Sequence, residues 1–165
     1  MNEAENIPEE FEVETGLKDE GKKWDRLHIR ESDREDYKRL LQVGSPFEGK
    51  DNKDPFMMAL MLGYLNRNRV KLEKMFGYFR YSYLSSEEKV ILNAIAVAEE
   101  GDLMILSDKG KILTIAEEYA AGGIKLLKND VFSSEYGSYI KKLELAIREE
   151  FEEYKRHSGS APKLL

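Results

Sequence analysis

The chain has 165 residues, a mass of 19.1 kDa and a formal net charge of -6 at pH 7. This length predicts one domain with its own core. Its apolar runs are much shorter than the roughly eighteen residues of a membrane-spanning helix, and the absence of cysteine excludes disulfides and thiolate chemistry. We therefore expect a cytoplasmic protein with no membrane partner. Abundant Glu and Lys with a single glutamine fit either a thermophilic source or an ordinary helical composition.

The charge is unevenly distributed along the chain. Residues 1–20 contain eight acidic residues and one basic residue, a balance of -7, whereas the rest of the chain carries 25 basic and 24 acidic residues. This composition predicts an acidic, disordered arm over 1–23, a single globular helical domain over 24–156 and a flexible tail over 157–165. Exposed charges act over only about 10 Å at moderate salt, so the charge of a mobile arm need not decide what a folded face of the near-neutral body binds.

The body begins with a predicted strand and a predicted helix. Apolar and polar residues alternate over 26–30, which suits a short half-buried strand. Ser32 and Glu35 have the spacing of a capping box and predict a helix over 33–42. The turn-forming residues of 44–53 then predict a loop.

A second helix is predicted over 55–66. Asp54 followed by Pro55 is typical of an N-cap and a first helical position, and the apolar residues that follow surround the helix axis. We therefore expect this helix to be buried. Farther along, 70–76 can be helical, while the aromatic content of 77–83 favours a strand.

Two further helices follow. Ser85 and Glu88 form a second capping box and predict a strongly apolar helix over 86–98, which we expect at the centre of the core. A helix over 111–121 is predicted to end at the glycine pair 122–123, in the manner of a left-handed C-cap.

The last predicted helix covers 135–155, and its apolar residues form one narrow stripe. Such a stripe is typical of a surface helix that covers a core, and it also permits the seam of a homodimer through residues 135–155. Together the elements predict a mainly α fold, a compact single-domain helical bundle of about five helices with a minor β-hairpin formed by 26–30 and 77–83. The stripe consists of Tyr136, Ile140, Leu143, Ile147, Phe151 and Tyr154.

The sequence lacks a recognisable constellation for catalysis. His28 and His157 lie at opposite ends of the body, and no phosphate loop or metal-ligand spacing is present. Adjacent glutamates on a helix point about 100° apart, so the pair Glu117 and Glu118 does not face one substrate. We therefore predict a non-enzymatic protein without cofactor or metal. The alternative is a small hydrolase centred on this pair, which needs a deep pocket and a metal.

Cations and aromatic residues are interleaved over residues 64–83, where five bases and one acid give a local balance of +4. Nucleic-acid contacts typically combine Arg or Lys for phosphates with aromatic rings for base stacking. The alternative is that the aromatic rings pack in the core while the cations pair with the acidic second half of the chain. The predicted nucleic-acid-binding residues are Arg67, Arg69, Lys71, Lys74, Tyr78 and Arg80.

Several short motifs resemble small accessory proteins that are associated with DNA phosphorothioation (Dnd-type) modification and defence systems. The resemblance covers about residues 26–128, and its sharpest element is the Glu-Glu-Tyr-Ala-x-Gly-Gly-Ile block that starts at Glu117. The acidic arm and the final helix lie outside the residues that this resemblance covers. It implies an accessory role near DNA modification or defence against foreign DNA. The residues that carry it include Pro55, Phe56, Gly63, Tyr64, Glu117, Glu118, Tyr119, Gly122 and Gly123.

Two functional hypotheses follow from these observations. The first is a non-enzymatic accessory protein of a DNA-modification or anti-phage defence system, which binds DNA or a DNA-acting partner protein through the basic and aromatic face. The alternative is a protein–protein interaction or oligomerisation module, a small helical adaptor or regulator with no direct nucleic-acid contact.

Overall fold

The computed structural model describes residues 25–133 and 139–158. The predicted mainly α fold with about five helices and a small hairpin is confirmed, and the helical alternative for 70–76 is wrong. The predicted arm 1–23 and residues 159–165 of the predicted tail lie outside the described residues. The elements are strands β1 (Arg26–Arg30) and β2 (Met75–Arg80) and helices α1 (Arg34–Leu40), α2 (Lys53–Leu65), α3 (Ser86–Glu100), α4 (Lys109–Phe132) and α5 (Tyr139–Ser158).

The two strands form an antiparallel hairpin with a register break. Leu27 and Ile29 point into the core, as the alternating pattern predicts. Tyr78 is the extra residue at the break, and its ring packs 4.9 Å from that of Tyr37. Arg26 and Arg80 face each other at one end of the hairpin, and both are exposed. The hairpin thus carries two cations side by side.

Helix α4 forms the centre of the core. It is buried along most of its 24 residues and packs mainly against α2, which is also largely buried, as predicted. The expectation that the helix at 86–98 is central is wrong. In α3 only Leu92, Ile95 and Ala96 are buried, so this helix lies on the outside of α4.

The predicted helix end at the glycine pair is also wrong, because α4 continues through it to Phe132. A Cβ atom on Gly123 would lie 1.9 Å from the carbonyl oxygen of Ala59 in α2, and one on Gly63 would lie 1.9 Å from that of Tyr119. The missing side chains therefore let the two helix backbones touch. This packing outweighs the cost of glycine in a helix, about 1 kcal/mol per residue.

The helix starts agree with the sequence at α3 and depart from it at α1, α2 and α4, the last of which begins at Lys109, two residues before its predicted start. The capping box of Ser85 and Glu88 is confirmed. The one predicted at Ser32 is wrong, because a 3-10 turn leads directly into α1 and no side chain caps it. Helix α2 begins two residues before its predicted start, so the predicted N-cap residue Asp54 lies inside the helix, where its carboxylate accepts the backbone N–H of Asp51 at 2.8 Å.

Helix α5 leaves its apolar stripe uncovered. At its start, the ring of Tyr139 is buried 6.5 Å from that of Phe47. Farther along, the apolar side chains from Leu143 to Tyr154 are exposed. The interpretation of α5 as a helix that covers the core is therefore wrong for this part of the helix. No helix in the described ranges is long and apolar enough to cross a membrane. The exposed fractions along the stripe are Leu143 37%, Ile147 62%, Phe151 54% and Tyr154 69%.

Candidate nucleic-acid interface

Helix α4 turns two buried glutamates toward neighbouring elements. The Glu117 carboxylate oxygen Oε1 accepts the backbone N–H of His28 at 2.8 Å and lies 2.9 Å from its ring nitrogen Nδ1. One edge of β1 is paired with β2, so Glu117 satisfies a donor at the other edge. The contact fixes the hairpin to α4.

The second glutamate belongs to a chain of charged hydrogen bonds. Arg69 donates from Nε to Glu118 at 2.6 Å and from Nη1 to Glu99 at 2.9 Å, while the Tyr119 hydroxyl lies 2.5 Å from Glu99. The hydrogen bond from Tyr119, together with the Arg69 guanidinium, lowers the pKa of Glu99. Burial and the same hydrogen bond raise the pKa of Tyr119 to about 12. Arg69 is therefore committed to holding α3 against α4.

The loop after α2 is tied to the same part of α4. The side-chain amide of Asn68 donates to the carbonyl of Gly122 at 2.8 Å, and the backbone N–H of Val70 donates to the carbonyl of Glu118 at 3.0 Å. A Cβ atom on Gly122 would lie 1.7 Å from the Asn68 carbonyl oxygen. The Glu117–Gly123 block is thus a packing node, in which the carboxylates accept hydrogen bonds from His28 and Arg69 and the glycines let other backbone segments approach closely. We call it the α4 node.

A cavity of about 200 Å³ opens beside the α4 node. Its polar lining includes His28, Lys71, Thr114 and the two glutamates. Within residues 25–133 and 139–158, no three His, Cys, Asp or Glu side chains form a group that could hold a metal ion. Glu117 already accepts a hydrogen bond from the backbone N–H of His28, and Glu118 accepts one from Arg69, so neighbouring residues engage both carboxylates.

A larger groove, of about 580 Å³, lies at the other end of the hairpin. Arg26, Lys50 and Arg80 are exposed there, and none of them has an ion-pair partner among the described residues. Lys53 is paired with Glu88 at 3.0 Å. We call this feature the basic groove. Its lining is Arg26, Lys50, Asp51, Asn52, Lys53, Tyr78, Phe79, Arg80 and Tyr83.

Positive charge continues beyond the basic groove around Tyr81, the residue after Arg80. The ammonium groups of Lys109 and Lys89 lie 4.0 Å and 5.1 Å from the centre of its ring. Neither lysine has a carboxylate partner in the part of the chain that the structure describes. Tyr83, two residues on, is 63% exposed. The exposed cations of the basic groove thus lie beside an accessible aromatic ring, that of Tyr83.

The structure brings together two of the six predicted nucleic-acid-binding residues. Tyr78 and Arg80 line the basic groove, whereas Lys71 lines the cavity and Arg69 lies in the α4 node. Lys74 precedes the opposite end of β2, about 20 Å from Arg80 at about 3.3 Å per residue. Arg67 is exposed beyond the end of α2. That these six residues bind nucleic acid stays a prediction.

The sequence pattern did not reveal the other cations. Arg26 and Lys50 come from separate stretches of the chain, and only tertiary packing brings them to the groove that Arg80 lines. Lys89 and Lys109, from two further stretches, meet at the ring of Tyr81. The alternation over 26–30 indicated the position of one of these cations, since it places Arg26 on the face of the strand opposite the buried Leu27.

Together, the fold and the site define a small, mainly helical protein with a buried charged node and a separate basic groove. A family model described as DNA sulphur modification system-associated protein 4 matches residues 30–161. The chain belongs to this family, which confirms the resemblance. The match includes α5, so the expectation that the final helix lies outside the family pattern is wrong. Neither a curated protein nor a solved structure matches the chain.

The family is associated with a DNA sulphur modification system, which supports an accessory role for this protein. Its name describes an associated protein, which points to an accessory role rather than a catalytic one.

Proposed function

We propose that this protein is a non-enzymatic accessory component of its DNA sulphur modification system and that it contacts DNA through the basic groove. The observation that carries the proposal is the presence of three exposed cations around one groove, Arg26, Lys50 and Arg80, with no ion-pair partner among the described residues. Family membership supplies the link to DNA, and the groove supplies a surface with suitable chemistry.

The groove suits a phosphate backbone better than an acidic protein surface for two reasons. Its cations lie beside an exposed aromatic ring, that of Tyr83, and unstacked bases pack on such rings. Lys89 and Lys109 add positive charge at the ring of Tyr81, the residue that follows the groove residue Arg80, and contact with several successive phosphates requires several cations. Arg69 has no part in this contact because two carboxylates hold its guanidinium.

The proposal is tested by fluorescence anisotropy with labelled DNA, single-stranded and double-stranded, over a series of salt concentrations. We expect binding to the wild-type protein that weakens steeply with salt. The double variant Arg26→Ala/Arg80→Ala removes two phosphate contacts. Its slope of log K against log salt should therefore be shallower by about 1.8 on double-stranded DNA, at about 0.9 per contact.

The matched control is Lys71→Ala/Lys74→Ala, which removes the same charge at the other end of β2. We expect it to keep the wild-type slope. An equal loss in both variants would show that overall charge, and not the groove, sets the affinity. Absence of salt-sensitive binding in the wild-type protein would reject DNA and leave a DNA-acting protein as the partner.

A second candidate function is self-association through α5, favoured by the exposed apolar stripe of that helix. The described part of the stripe, Leu143, Ile147, Phe151 and Tyr154, recurs at three- and four-residue steps, which is the spacing of a seam between paired helices. This arrangement supports a homodimer through the described part of residues 135–155.

Sedimentation velocity over a range of protein concentrations tests the homodimer. We expect a concentration-dependent dimer for the wild-type chain and a monomer for Ile147→Asp, which puts a charge in the seam. Arg148→Asp is the matched control, because it introduces the same side chain one position away, about 100° around the helix. A wild-type chain that stays monomeric at all concentrations would reject this candidate.

A further inference from the structure

The basic groove lies beside Asp25, the first residue that the structure describes. The carbonyl oxygen of Asp25 accepts the backbone N–H of Tyr81 at 2.8 Å, and the next residue, Arg26, lines the groove. Residues 1–20, with eight acidic residues and one basic residue, are therefore attached to the body at the edge of its basic groove. Opposite charges are thus joined by a short stretch of chain.

We propose that the acidic segment 1–20 of this chain occupies the basic groove and competes there with DNA. The proposal rests on the proposed function for its consequence, since it assigns a regulator to the same site. Its physical basis is charge complementarity between the segment, at -7, and the three groove cations without ion-pair partners among the described residues, Arg26, Lys50 and Arg80.

The short connection places the first acidic residues, Asp19 and Glu20, within reach of the groove. Glu20 is five residues from Asp25, a separation that spans at most about 18 Å. The acidic segment therefore starts within reach of Arg26 and Arg80. Lys74 lies about 20 Å farther along the hairpin, beyond the first acidic residues. A short tether between two binding groups gives an effective concentration in the millimolar range, so weak contacts suffice for occupancy.

A test independent of DNA uses the full-length chain, whose lack of cysteine permits labelling at one introduced position. A nitroxide spin label is attached to the variant Glu10→Cys, and the amide signals of the protein are recorded by NMR. We expect selective broadening at Lys50, Arg80 and Tyr83, and its loss at about 0.5 M salt, where exposed charges are screened. Broadening spread evenly over the surface, or none, would overturn the proposal.

The same measurement in variants of the groove cations tests whether the segment binds at the groove. In an Arg26→Ala/Arg80→Ala background the broadening at Lys50 and Tyr83 should fall to the level of the salt-screened sample. In a Lys71→Ala/Lys74→Ala background, with the same loss of charge, it should persist. Broadening that depends on the second pair and not on the first would place the segment elsewhere and reject the groove as its site.

Competition with DNA is measured with a less acidic segment in the full-length chain. Four Glu→Gln substitutions, which change the balance of residues 1–20 from -7 to -3, should tighten DNA binding about fivefold, because they weaken an internal competitor at millimolar effective concentration. Four Glu→Gln substitutions on α5 change the net charge equally and should tighten binding less. Equal tightening in both would overturn the competition. The segment positions are Glu9, Glu10, Glu12 and Glu14, and the α5 positions are Glu144, Glu149, Glu150 and Glu152.

The two measurements separate the two proposals. If no variant binds DNA while the spin label broadens groove amides, the segment occupies the groove and the DNA contact is rejected. If DNA binds through the groove while the spin label produces no selective broadening, the DNA contact stands and the internal competitor is rejected.

Discussion

The α4 node and the basic groove use charged residues in opposite ways. In the node, Glu117 and Glu118 are buried and each accepts hydrogen bonds from a charged or polar partner. In the groove, Arg26 and Arg80 are exposed and have no carboxylate partner among the described residues. A buried charge without a partner is costly, whereas an exposed one is solvated at little cost. The charges of the node therefore stabilise the fold, whereas the two arginines of the groove are not used to hold described parts of the fold together.

The largest loss of stability should follow a substitution in the node at the point where the backbones of two helices approach closely. Gly123→Ala places a Cβ atom 1.9 Å from the carbonyl oxygen of Ala59, so the backbones must separate. We expect the free energy of unfolding in urea to fall by about 3 kcal/mol. Lys125→Ala, an exposed site on the same helix, should change it by less than about 0.5 kcal/mol. A stabilised Gly123→Ala would contradict the contact, because alanine is otherwise the better helix former.

The next largest loss of stability should follow a substitution of Glu118, the glutamate of the node that pairs with Arg69. Glu118→Gln replaces a buried carboxylate that accepts a hydrogen bond from Arg69 at 2.6 Å, and we expect a loss of about 2 kcal/mol in the free energy of unfolding. Glu144→Gln breaks an exposed pair with Arg148 and should cost less than about 0.5 kcal/mol. Equal costs in the two variants would remove the distinction between buried and exposed charge pairs in this protein.

A smaller, pH-dependent effect should come from Tyr119. Its pKa is raised to about 12 in the folded protein, above the ordinary value of about 10, so the unfolded chain releases the proton first. The stability that this group contributes is therefore complete below pH 10 and is lost as the pH rises from 10 to about 12. Urea unfolding of the wild type and Tyr119→Phe between pH 9 and 12 should show their difference narrowing over that interval. A constant difference would argue against the hydrogen bond to Glu99.

The smallest effect on stability is expected in the basic groove. Arg26→Ala and Arg80→Ala remove exposed side chains without ion-pair partners among the described residues, so each should change the free energy of unfolding by less than about 0.5 kcal/mol. Thermal melts of the two variants provide the measurement. A loss of several kcal/mol in either would show that its side chain supports the fold, and the contrast with the α4 node would disappear.

Much of the secondary structure was predictable because it depends on local chemistry. The capping box at Ser85 and Glu88 fixes the start of α3 through contacts within one turn. Alternation fixes the inward residues Leu27 and Ile29 of β1 in the same way. The wrong prediction of a helix end at Gly122 and Gly123 has a long-range cause. Whether the helix continues there depends on contacts with α2 and the loop after it, which are far away in sequence.

The candidate site was predictable only in part. The cluster of cations over 64–83 was visible in the sequence, but its members separate in the fold: Arg69 enters the α4 node and Arg80 reaches the basic groove. The pairing of Arg69 with Glu118 joins residues 49 positions apart. Local composition contains no information about such a contact, so the sequence did not distinguish a phosphate-binding arginine from a structural one.

By itself, the sequence determined the helical class, the family block around Glu117 and the concentration of negative charge in residues 1–20. These follow from periodicity, short motifs and composition, which are local properties. Tertiary structure alone decided that α4 is central, that the stripe of α5 is exposed and that Arg26 and Lys50 join Arg80 in one groove. Each of these depends on which distant residues come into contact, and packing of the whole chain sets those contacts.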